Sequence, residues 1–163
     1  MLQPAAIDGL AFARTAGVMR GHFDHESLPR LAQSGCSGSA VDFVLTGEIN
    51  ERGKLGLRLA VNGSVRMECQ RCLGNVDLAL QLGSQLELAA NEAEILAADD
   101  EVERVVARRD MNVADLVEEE LILALPMVPR HEQCFAATEA EGGDQPSAFK
   151  ALGALRKRSF SGG

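Results

Sequence analysis

Cys69-Gln-Arg-Cys72 is the one short motif in this chain whose residue types and spacing could carry chemistry. Two thiols separated by two residues, followed by the turn-forming Leu73-Gly74, form a knuckle that aims two sulfurs at one point. A second pair with the same spacing, His131 and Cys134, follows a stiff Pro126-X-X-Pro129 exit. Cys69, Cys72, His131 and Cys134 together make a Cys3His set, the ligand number and type of a structural zinc ion. A second reading stands beside it. Cys69 continues an apolar alternation as a small buried hydrophobe, and His131 serves the carboxyl end of a helix. A thiol redox protein is the third possibility, but a thioredoxin-type pair opens a helix, and here Gly74 leads into another strand pattern.

No other constellation points to a reaction. His22 and His25 lack a neighbouring nucleophile in a turn, and read as surface histidines, with Cys36 a loop or core thiol. There is no glycine-rich phosphate loop. The expectation is a protein without catalytic residues and without a small-molecule substrate.

The elements that would position the knuckle are legible in the hydrophobic pattern. From Ala40 to Ala89 the period is two. Val41, Phe43 and Leu45 alternate with polar residues, as do Leu55, Leu57, Leu59 and Val61, then Val65, Met67 and Cys69. Val76, Leu78, Leu80 and Leu82 follow, extended by Leu86 and Leu88. Asn62-Gly63 has the composition of a tight hairpin turn. The pattern predicts four or five strands in an antiparallel β-meander, as a curved sheet or partial barrel. Weak helical periodicity runs from Ile7 to Met19, and Gly21 to Asp24 reads as a short extended piece. Ser27 before Leu28-Pro29 predicts the cap of a short helix. Residues 91–104 read as a solvated acidic loop. The strongest helix spans 112–125, with Val113, Leu116, Val117, Leu121 and Leu125 as its apolar stripe, Glu118, Glu119 and Glu120 outward, and Ile122 and Leu123 widening the buried arc. The fold class is therefore α+β: the meander packed with two to three helices, as a single domain over residues 1–135. Residues 136–163 form a flexible tail, acidic then basic, whose Phe149, Leu152 and Leu155 have the spacing of one face of a short helix.

Charge limits the partners. The chain has 16 basic and 24 acidic residues, and the last fourteen residues hold Lys150, Arg156, Lys157 and Arg158 with no acid. The first 149 residues therefore carry −12 and the end carries +4. An acidic body repels phosphate, and there is no Trp or Tyr for base stacking. A protein partner fits this distribution better than extended contact with RNA. With no signal-peptide pattern and no long apolar run, the expected compartment is the cytoplasm, with reduced cysteines and no membrane contact.

Three segments carry a resemblance: Met67 to Leu73 (MECQRCL), Asp115 to His131 (DLVEEELILALPMVPRH) and Pro146 to Arg156 (PSAFKALGALR). They resemble the YceD family, bacterial and plastid factors for accumulation of large-subunit ribosomal RNA. Cys69, Arg71, Cys72, Pro126, Pro129, His131 and Cys134 fall on that family's pattern, with a spacing from His131 to Cys134 shorter than in some members. The resemblance implies a non-enzymatic role in the synthesis, processing or stability of 23S ribosomal RNA. Joined to the acidic body, it suggests an adaptor that contacts a ribosomal protein, a ribonuclease or an assembly factor. A direct RNA-binding module using the knuckle and the basic tail is the alternative, and ribosomal RNA its partner.

Overall fold

The computed structural model describes residues 6–97 and 102–134. Within them the chain order is α1 (Gly9–Arg14), β1 (Val18–Asp24), a 3-10 turn (His25–Ser27), α2 (Pro29–Gln33), β2 (Cys36–Ile49), β3 (Leu55–Glu68), β4 (Asn75–Ala89), α3 (Glu92–Leu96), β5 (Arg104–Val106) and α4 (Val113–Ala124). The five strands form one open sheet in sequence order. The first four are antiparallel neighbours, and β5 adds to β4 in parallel. The fold is α+β, an open meander with helices against one face.

Alternation decides which face that is. Val41, Phe43 and Leu45 of β2, Leu57, Leu59, Val61, Val65 and Met67 of β3, and Val76, Leu86 and Leu88 of β4 are all buried. They share one side because successive side chains of a strand point to opposite faces. Phe23 of β1 stacks on Phe43 with ring centroids 5.0 Å apart. Ala13 of α1, Leu31 of α2, and Val113, Val117 and Leu121 of α4 close over this row. Removing so much apolar surface from water is the main force holding helices to sheet. Gly47 lets α1 lie flat on β2, since a Cβ there would meet the Ala13 Cα at 2.7 Å.

Several local expectations are corrected. Asn62-Gly63 is no hairpin: β3 runs straight through it, with Gly63 opposite Val41 on one side and Leu80 on the other. The apolar period resumes at Val65 and Met67 in phase with Leu57, Leu59 and Val61, and burial of those five side chains outweighs the turn preference of two residues. Gly63 is there for clearance, because a Cβ would run into the Ala40 carbonyl and the Val41 Cα, the latter at 2.7 Å. The first helix ends at Arg14, and Val18–Asp24 is a strand paired along its length with Thr46 to Ala40. Ser27 is not the cap of α2. That helix starts on Pro29, and its Leu31 N–H is bonded by the Glu118 carboxylate at 2.8 Å. Glu118 is accordingly buried, not outward, while Leu123 is 69% exposed and adds nothing to the buried arc. The acidic stretch after β4 contains α3, capped by the Asn91 side chain, and the parallel strand β5. The strongest predicted helix is α4, with Asn112 bonding the Ala114 N–H at 3.0 Å. The expected tail and its short helix lie outside the described residues.

Candidate metal centre

The turn between β3 and β4 bends back tightly on itself. Cys69 N–H donates to the Gly74 carbonyl at 2.8 Å, and Leu73 N–H donates to the Cys69 carbonyl at 2.9 Å. Leu73 adopts φ +61°, the left-handed region that side chains usually avoid. This geometry swings both cysteine side chains toward the end of α4. From the other side, Leu125 is extended and Pro126 ends the helix. Gln70 N–H then donates to the Pro129 carbonyl at 2.9 Å, which fixes the exit segment against the knuckle.

The sequence-predicted residues come together. The ligand atoms of Cys69, Cys72, His131 and Cys134 all lie within 4.8 Å of one another. Cys69 Sγ is 3.7 Å from Cys134 Sγ, and Cys72 Sγ is 3.3 Å from His131 Nδ1. Sulfurs bound to one tetrahedral zinc stand roughly 3.8 Å apart, given Zn–S bonds of about 2.3 Å. The sulfur spacing therefore matches an edge of such a tetrahedron. His131 Nε2 lies 2.8 Å from the Asn75 carbonyl oxygen. A carbonyl only accepts, so Nε2 carries a proton, and in the neutral ring this leaves the Nδ1 lone pair facing the sulfurs. A backbone acceptor behind the imidazole is the usual device for orienting a metal-binding histidine. The sequence gives no sign of Asn75, because its contribution is a main-chain oxygen.

Electrostatics agree with a thiolate at the centre. Burial alone would push the Cys69 thiol up. The backbone N–H groups of Cys72, Arg71 and His131, with the Cys72 side chain, outweigh it and bring the thiol down to about 5. Cys134 moves the other way, raised by burial and by the neighbouring sulfurs of Cys69 and Cys72. Three sulfurs and an imidazole nitrogen so arranged are a donor set that can hold a metal ion. A lowered thiol is also what a redox enzyme needs, but two features oppose that reading. Cys69 is fully buried, and no helix begins at the pair to favour a thiolate on an exposed face.

The remaining candidates fall elsewhere. His22 sits on the outer sheet face between Asp42 at 2.8 Å and Asp24 at 3.1 Å, and both raise its pKa, Asp42 the more. Cys36 is a core thiol, pushed up by burial. No other group of metal-binding side chains converges among the described residues. None of the described helices is long and apolar enough to cross a membrane.

A curated protein of Haemophilus influenzae, named "Large ribosomal RNA subunit accumulation protein YceD", is 28% identical over 171 residues, covering 95% of this chain and 97% of the relative. No solved structure matches. The family model described as "Large ribosomal RNA subunit accumulation protein YceD" matches residues 57–155, a span that contains the knuckle, α4 and all four candidate ligands, and the chain belongs to that family.

Proposed function

We propose that this protein is a non-enzymatic factor in the accumulation of 23S ribosomal RNA, acting in the cytoplasm as an adaptor toward a protein of large-subunit assembly or ribonuclease processing. The observation that carries the reading is the donor cluster at the joint between sheet and α4. It is placed to hold a surface in shape, and it lies inside the family match. Cys69, Cys72, His131 and Cys134 bind one structural zinc ion, which crosslinks the β3–β4 turn to the Pro126–Cys134 exit. The donors suit zinc: three sulfurs, one oriented imidazole and no oxygen ligand. Four protein ligands leave no open position for substrate or water, which favours architecture over catalysis.

The acidic body, together with the lack of stacking aromatics, favours a protein contact over naked RNA. Asp115, Glu119 and Glu120 supply the acidic face of α4, now without Glu118. The test has two arms. Purified wild type should carry about one zinc per chain, and Cys69→Ser should lose it; a metal-free, stably folded wild type rejects the zinc site. In cells, crosslinking should recover a ribosomal, assembly or ribonuclease protein. Efficient crosslinks to 23S RNA alone would instead establish the direct RNA-binding alternative.

A further inference from the structure

The core-facing row of β4 is covered at both ends and open in the middle. Val76, Leu86 and Leu88 are buried, while Leu78, Leu80 and Leu82 between them are only partly covered. The same stretch lies on a sheet edge, because β5 pairs only with Glu87 to Ala89. Among the described residues no strand bonds β4 from Asn75 to Leu86 on the side away from β3. Three neighbouring leucines along an open edge form an apolar strip that water covers poorly.

Beyond the carboxyl end of that strip, at Leu86, acids outnumber bases. The chain returns along β4 in α4: Ala107 is bonded to Ala89 at one end, and Pro129 and His131 to Gln70 and Asn75 at the other. On the way, Leu116, Glu119 and Glu120 share a cavity with Leu86, Glu103 and Arg104, so three carboxylates there meet one guanidinium. Burial, with the charges of Glu120 and Glu119, pushes the Glu103 carboxyl up, so these acids crowd one another.

We propose that residues 147–158 of this same chain dock on the β4 strip, with Phe149, Leu152 and Leu155 on Leu78, Leu80 and Leu82 and the basic side chains toward Glu119 and Glu120. The described chain stops at Cys134, beside Asn75, where β4 begins. Twelve residues, 135–146, then separate it from the segment, and they reach up to about 40 Å when extended. The open row begins three residues into β4, roughly 10 Å from Asn75. Phe149, Leu152 and Leu155 span about 9 Å on one face of a helix. Leu78 to Leu82 span about 13 Å along the strand, so the shorter row fits within the longer. Lys150, Arg156, Lys157 and Arg158 bring +4 to a body whose first 149 residues carry −12. A second copy meeting the strip edge to edge would instead bring two strongly acidic bodies together. The proposal does not depend on zinc.

Methyl-labelled NMR of the full-length protein tests it. The Phe149 ring, identified by its loss in Phe149→Leu, should show contacts to the methyls of Leu78, Leu80 or Leu82 that persist on dilution. Replacing Leu152 and Leu155 by Ser should shift those three leucines and leave the Val41 and Leu59 methyls in place, showing that the core is intact. Strip methyls that are identical in wild type and the double variant overturn the proposal. So do contacts seen only between labelled and unlabelled copies, which would assign the strip to a dimer.

Discussion

β4 is pinned at both ends by polar clusters of opposite character. At its carboxyl end, Glu87 is buried and accepts from Arg104 Nε at 3.0 Å and Asn50 Nδ2 at 2.9 Å. At its amino end, three sulfurs and an imidazole lone pair face one another. In the first cluster opposite characters meet: a carboxylate accepts from a guanidinium and an amide. The second offers three sulfurs and an imidazole nitrogen to one point, a donor set that can hold a metal ion. A carboxylate beside its cation needs no further group, whereas a cluster of sulfur and imidazole donors is a candidate metal site.

Removing the proposed ion separates the two ends most sharply. Chelation, or Cys72→Ser, should lower the melting temperature by about 10 °C or more, because the thiol end then loses its crosslink. The Glu87 end should not respond to chelator. At that end, Arg104→Met should cost about 3 kcal/mol in denaturant unfolding, since it leaves a buried carboxylate without its cation. Acid gives the complementary probe. Burial raises the Glu87 pKa, but the bonds from Arg104 and Asn50 outweigh it and hold the carboxyl below its ordinary value of 4.5. A depressed folded value means that the stabilisation is present above about pH 4.5 and is lost as pH falls through the folded value. Stability of the wild type should therefore decline below that point, and Glu87→Gln should flatten the decline. Zinc content at neutral pH should be the same in both proteins.

Smaller effects test how α4 is held between the two ends. Glu118→Ala should cost about 1–3 kcal/mol by orphaning the buried Leu31 N–H, with Glu118→Gln recovering part of the loss. Asn62→Thr should change stability by less than about 0.5 kcal/mol. A hairpin at that position would lose its turn residue, whereas an exposed site in the middle of β3 accepts a β-branched side chain.

The amino-acid sequence by itself determined the sheet faces, the span of α4 and the four candidate ligands. Period-two alternation, an Asn112 cap followed by a helical stripe, and paired X-X spacings are all local signals. Asn62-Gly63 was legible and misleading, because a dipeptide preference is worth less than burial of Leu57, Leu59, Val61, Val65 and Met67 on either side of it. Glu118, Glu87 and Arg104 look like surface charges in the sequence, since nothing local reports that a helix amino end or a parallel edge strand will arrive beside them. Only the tertiary structure decided that. It also decided that residues some sixty positions apart place their sulfurs 3.7 Å from each other. Spacing along the chain can nominate ligands, but their convergence depends on α4 returning along β4, and that path is set by packing of the whole core.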